Sequence, residues 1–300
     1  MKYILALLFI LFTLSGFSQH IIRGLVLDSA THQPVSYATI INDSAHNGTL
    51  ADDKGFFKLP FSDTTKTTAV LRIYCVGYTL QYATVNCLTD TNKVYLSRNP
   101  VTLSPAGISL LDTNKLCREK WGATRKPFLF QGEYLWHDGS EIAVHIVNTS
   151  DSTGVITTIR FYITDEGFPD TPFRAQLYYV DARSGGPGAT MLDTNLILHG
   201  AKGNEWVVAD LSSLNLQMPP EGFFISMQWL PVSKELPYKV TLGKYDIKGD
   251  GQVLGMSHEI DNCETWSKFD LLNEWFHFNN TDLAGCANAM IGADVFVPCK

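Results

Sequence analysis

Seven side chains in the second half of the chain have the chemistry to hold a ligand: His145, Arg160, Tyr162, Arg174, Gln176, Tyr178 and Gln228. Each falls within a run of alternating residues, at the positions opposite in parity to the expected core, and so on the outward side of a strand. Planar rings beside amide and guanidinium donors suit sugars, which present apolar faces and hydroxyl edges. The competing expectation is an ordinary solvated sheet face, or one covered by loops or by the other domain.

Other groupings are weaker. The segment Asp246-Ile247-Lys248-Gly249-Asp250-Gly251 has carboxylates near calcium-loop spacing, but Lys248 takes a ligand position and no glutamate closes the loop, so a turn is expected. Gly185-Gly186-Pro187-Gly188 lacks the lysine and hydroxyl of a phosphate loop and reads as a hairpin turn. Asp165, Glu166, Asp170, Glu259, Asp261 and Glu264 include no pair that sequence can single out as a glycosidase dyad. No Gly-x-Ser-x-Gly elbow occurs, and His258-Glu259 is followed by Ile260-Asp261-Asn262 rather than a second zinc-binding histidine. The expectation is no catalytic residue, no metal and no cofactor. Trp266, Phe269, Trp275, Phe276 and Phe278 cluster near the end, as core or as an exposed patch.

The elements that position these residues are strands. Lys2, the apolar run from Ile4 to Leu14 and the small residues from Ser15 to Gln19 form a secretory signal, with cleavage expected near Ser18 or Gln19. The apolar run is too short to span a bilayer, and the mature chain is expected to lack a transmembrane segment. An exported location follows: periplasm, outer-membrane associated or cell surface. The 45% hydrophobic, 12% aromatic and 18% charged composition suits a β-rich core. The net charge of −7 with no basic cluster argues against nucleic acid.

Six cysteines in an exported chain permit disulfides. A turn at Gly77-Tyr78 would pair Cys75 with a residue near Thr79 or Leu80 and leave Cys87 about 20 Å away at the strand rise, beyond the bridging limit of about 7 Å. Cys263 and Cys286, both in turn-like contexts, are the favoured pair. Cys117 with Cys299 requires the second domain to begin and end on adjacent strands.

Residues 21–97 alternate short apolar runs with turn signals at the spacing of a β-sandwich. Gly24 and Asp28, then Pro34, Val35, Ala38 and Ile40, then Asp52, Gly55 and Phe57, then Gly77 and Tyr78 form a combined pattern. It resembles the carboxypeptidase-regulatory-like domain, a transthyretin-like sandwich common in exported proteins of Bacteroidetes-type bacteria, with Ala51 where that family usually has Thr. The resemblance implies a non-catalytic appendage. The chain is too short for the barrel of a TonB-dependent receptor and lacks a zinc peptidase's ligand spacing.

The expected organisation is all-β: a signal peptide at 1–19, the carboxypeptidase-regulatory-like sandwich at 20–98, a linker at 99–126 with a short helix near Lys115 to Trp121, and a larger jelly-roll-like sandwich at 127–300. In the last, Val155, Thr157, Ile159, Phe161 and Ile163 should face one way and Ile156, Thr158, Arg160 and Tyr162 the other. The functional expectation is a binding or adaptor module whose partner is an envelope or outer-membrane protein. A glycan-binding second sandwich and a hydrolase with an unrecognised site are the alternatives.

Overall fold

The computed structural model describes residues 20–63, 65–99, 116–124, 138–148, 153–232, 237–242, 245–257, 262–272, 274–277 and 287–299. The signal segment, Cys286, Glu259, Asp261 and Phe278 lie outside them.

The first sandwich has seven strands: β1 (His20–Asp28), β2 (Thr39–Asn42), β3 (Asn47–Leu50), β4 (Phe56–Phe61), β5 (Thr68–Tyr74), β6 (Gln81–Asn86) and β7 (Asn92–Leu96). One sheet has the order β4-β1-β7 and the other β3-β2-β5-β6. β1 pairs antiparallel with β4 and parallel with β7. The alternation expected of half-buried strands is plain in β5, where Ala69, Leu71 and Ile73 point inward. They meet Ile22, Val26, Phe57, Leu59, Val94 and Leu96 from the facing sheet. In the register of β5 and β6, Ile73 faces Gln81 and Thr68 faces Asn86. Cys75 and Cys87 therefore sit at opposite ends of the hairpin, and both are free and buried.

The second sandwich opens with β8 (Leu116–Gly122), β9 (Glu141–Ile146), β10 (Val155–Gly167), β11 (Phe173–Val180), β12 (Pro187–Thr190), β13 (Leu196–Leu198) and β14 (Glu205–Asp210). It continues with β15 (Leu216–Gln217), β16 (Phe223–Trp229), β17 (Pro237–Leu242), β18 (Tyr245–Asp250), β19 (Gln252–Leu254) and β20 (Met256–Ser257). It ends with β21 (Thr265–Lys268), β22 (Phe276–His277), β23 (Asn288–Ala289) and β24 (Ile291–Pro298). A six-stranded sheet is built on the path β14-β10-β24-β8 and a seven-stranded sheet on β12-β11-β16-β9-β21-β22. Phe161, Phe173, Phe223 and Trp229 lie between them, all essentially inaccessible.

Three local expectations are corrected. Leu116–Gly122, expected as a short helix in a linker, is a strand paired along its length with β24. Its Leu, Arg, Glu and Lys content favours a helix, but local propensity is a weak prior against an available partner strand and a buried Trp121. Residues 246–250, expected as a turn, belong to β18, which pairs with β17; the turn comes at Gly251, with φ of +80°. The alternation in β10 is broken at Thr157, where the register with β24 slips by one residue. That bulge turns Ile156 into the same core as Ile159, Phe161 and Ile163.

β8 and β24 are neighbours, so the second sandwich begins and ends on adjacent strands. Cys117 and Cys299 are bridged there, with Cα atoms 5.0 Å apart. Cys263 is disulfide-bonded as well.

Candidate functional site

Period-two alternation assigns a side chain to a face but not to a sheet. Arg160 and Tyr162 lie on β10, whereas His145, Arg174, Gln176, Tyr178 and Gln228 lie on β9, β11 and β16 of the other sheet. The seven therefore occupy opposite outer sides of one sandwich and form no common ligand face. Most are also buried.

Arg160 is 7% exposed. It donates to Asp294 Oδ1 at 2.8 Å and to the carbonyls of Trp121 and Ala123 at 3.0 and 3.1 Å, and its guanidinium lies 5.6 Å from the Trp206 ring centre. Arg118 binds the other oxygen of Asp294. Burial pushes the Asp294 carboxyl up, but hydrogen bonds from Arg118 and Thr158 and the Arg160 charge outweigh it and hold it low. Tyr162 packs edge-on to Trp206. This cluster fastens the turn after β8 onto β10 and β24.

On the seven-stranded sheet, Arg174 faces Gln228 across the ladder, and Gln228 faces Glu141. The Arg174 guanidinium donates to Gln228 Oε1 at 2.7 Å, to Asn195 Oδ1 at 2.8 Å and to the carbonyl of Tyr37, in the first sandwich, at 2.5 Å. Glu141, 4% exposed, accepts from Tyr178 Oη at 2.7 Å and Ser226 Oγ at 2.5 Å. Burial and the Glu141 carboxylate raise the Tyr178 hydroxyl well above the usual tyrosine value. The Gln176 amide oxygen accepts the Leu177 N–H. His145 stacks on Phe224, with Nδ1 3.2 Å from Glu264 Oε2 and Nε2 3.0 Å from the Glu221 carbonyl. Each of these side chains has a partner within the protein.

Residue types and parity located these side chains, but the sequence reading missed Glu141, Asn195, Ser226 and Tyr37. Glu141 shares the parity of His145 and was open to the same argument. Asn195 and Tyr37 enter only through tertiary packing.

Tyr37 lies where the two sandwiches meet. Its backbone is left-handed, with φ of +59°, an uncommon conformation for an aromatic residue. Its ring packs with Leu50, Leu230, Ile197 and Leu271 from both sandwiches. Burial, then Asp53 and Asp52, push its hydroxyl up to about 12. A groove of about 390 Å³ runs beside the joint, lined by Val35, Tyr37, Cys75, Tyr78, Asn195 and Ile197 among others. Burial raises the Cys75 thiol, which disfavours a reactive thiolate.

The pattern residues of the first sandwich serve its frame. Asp28 accepts the Ala30 and Thr31 N–H groups at 2.9 Å, Tyr78 Oη at 3.1 Å and Arg98 Nε at 2.6 Å. The Arg98 bond, more than any other, holds its carboxyl far below the usual range. Asp52 Oδ1 accepts the Lys54 and Phe56 N–H groups, shaping the turn in which Gly55 has φ of +78°. A Cβ at Gly24 would stand 2.3 Å from the Phe57 ring, its cross-strand neighbour.

Among the described residues, no group of three or more His, Cys, Asp or Glu could hold a metal ion. The late aromatics are partly open: Trp266 stacks on His277, Phe269 stacks on Phe276 with centres 4.7 Å apart, and Phe269 is 50% exposed. Trp275 stands edge-on to Tyr178 and helps to cover it.

A solved structure of BcpA, the major pilin subunit of Bacillus cereus, aligns over 93% of this chain and 95% of its own at 7% identity, with a TM-score of 0.18. That score is too low to indicate a shared fold. No curated protein matches the chain. The family model described as CarboxypepD_reg-like domain matches residues 22–104. The first sandwich, with Asp28, Gly55 and Tyr78 in its frame, is a CarboxypepD_reg-like domain.

Proposed function

We propose that this protein is a non-catalytic binding or adaptor module of the cell envelope, exported by its N-terminal signal and docking on an envelope or outer-membrane protein. The observation that carries this reading is the joint at Arg174: the side chains best suited to chemistry are engaged in internal hydrogen bonds, and one of them ties the two sandwiches together. A buried polar network that is fully paired rigidifies a structure. Two sandwiches locked in this way would present their outer surfaces at a fixed separation, as an adaptor requires. Cross-linking followed by pulldown from native envelopes tests it. One specific partner, recovered by the full mature chain and lost with Arg174→Met, is expected; recovery of none would refute the docking role.

A second reading, glycan binding by the second sandwich, draws on the half-open aromatic ribbon of Trp266, Phe269, Phe276 and His277. Arg160 and Tyr178 are poor probes for it because their removal would disturb the packing. Phe269→Ala should weaken binding of envelope polysaccharide at least tenfold; unchanged calorimetric affinity would discard this alternative.

A further inference from the structure

Most described strands at a sheet border are blunted against further pairing. β4 carries Lys58 and Pro60, β7 carries Lys93, β8 carries Arg118, Glu119 and Lys120, β14 carries Glu205 and Asp210, and β12 opens on Pro187. β3 lies under the second sandwich, with Leu50 buried and Leu271 packed against Gly48. Charge, proline and cover are the usual protections of an exposed edge. β6 has none of them: Gln81–Asn86 reads QYATVN, without an ionisable acid or base of ordinary pH or a proline.

The ladder phase shows what this edge offers. The Cys87 N–H donates to the Thr67 carbonyl at 2.8 Å, so Val85, Ala83 and Gln81 are the residues of β6 that bond back to β5. The main-chain groups of Asn86, Thr84 and Tyr82 then point away from the sheet. At Asn86 a side chain stands in for a strand: Asn92 Oδ1 accepts its N–H and Asn92 Nδ2 donates to its carbonyl, both at 2.9 Å. Among the described residues no such substitute serves Thr84, and the Tyr82 carbonyl receives the Gln81 amide at 3.3 Å. Beside them Tyr82 is 59% exposed and Val70 is 56% exposed.

We propose that β6 pairs antiparallel with β6 of a second copy of this chain, about a two-fold axis at Ala83. Tyr82 of each copy would then exchange N–H and carbonyl with Thr84 of the other, making four hydrogen bonds. Asn92 stops the ladder on each side. A second copy fits because it brings the same open edge and satisfies both at once, as an isologous contact does. The absence of charge on β6 lets two molecules of net charge −7 approach along it without a like charge on the strand itself. This self-association is independent of the adaptor reading.

Sedimentation equilibrium of the full mature chain, with amide hydrogen exchange at low and high concentration, tests the proposal. A reversible dimer is expected, with the Tyr82 and Thr84 amides gaining protection as it forms. Thr84→Pro removes an N–H that the monomer leaves unused, and Tyr82→Lys changes only an exposed side chain. Each should raise the dimer dissociation constant at least tenfold, while Val208→Lys, on the second sandwich, should leave it unchanged. A monomer at every concentration up to the sub-millimolar range, or a dimer that persists unchanged in both β6 variants, would overturn it.

Discussion

The two sandwiches satisfy a buried charge in opposite ways. In the first, Asp28 is held by the N–H groups two and three residues ahead of it and by Arg98, whose side chain is 66% exposed. In the second, Arg174 is held by three neutral oxygens, one of them across the joint. The first arrangement stays within one sandwich and opens toward water. The second reaches from one sandwich into the other. An arrangement confined to one sandwich can be disturbed with little consequence for the other, whereas one that crosses the joint couples both.

Breaking the sandwiches apart energetically is the sharpest way to test that contrast. The largest effect is expected from Cys117→Ser with Cys299→Ser, because the bridge closes a loop of sequence separation 182. Loop-closure entropy for so long a loop corresponds to about 5 kcal/mol. Denaturant unfolding should show the second sandwich losing most of that while the first keeps its midpoint. An equal shift in both would mean that they unfold as one unit.

Arg174→Met should cost about 3 kcal/mol, since it strands the oxygens of Tyr37, Asn195 and Gln228. It should also lower the midpoints of both sandwiches, because the joint they share loses its polar tie. A shift confined to the second sandwich would assign the coupling to the apolar contacts of Tyr37 and Leu230 instead.

Gly24→Ala is expected to cost about 2 kcal/mol in the first sandwich alone, through overpacking against the buried Phe57 ring. Its thermal midpoint should fall while that of the second sandwich stays in place.

The smallest effect is a pH dependence. A carboxyl held below its unfolded value of about 3.9 contributes stability above that pH and loses it as pH falls toward the folded value. Asp28 is such a group. The first sandwich should therefore weaken below about pH 4, and Asp28→Asn should lower its neutral stability while flattening the acid limb. An acid limb of unchanged slope in that variant would place the dependence on other carboxylates.

The same contrast explains what could be read from the chain. Gly24, Asp52 and Gly55 act in turns and a cross-strand pair, Asp28 shapes the turn that follows it, and turn chemistry has a sequence signature. The first sandwich was legible for that reason. In the second sandwich, alternation identified β11 and β16, but it could not report that Arg160 and Arg174 stand on different sheets. Nor could it foresee the bulge at Thr157 that brings Ile156 inward, or the strand at 116–122, whose partner β24 brings Asp294 to Arg118 from 176 residues away.

Residue types and their spacing determined an all-β chain, the frame of its first sandwich, the incompatibility of Cys75 with Cys87, and seven side chains able to hold a ligand. Tertiary structure decided that those seven do not share a face and that Arg174 reaches Tyr37. It also decided that β6 keeps an open edge while most other described edges are blunted or covered. The reason is physical: strand periodicity is a property of the backbone and is written locally, whereas burial and pairing depend on which distant segment arrives opposite each strand.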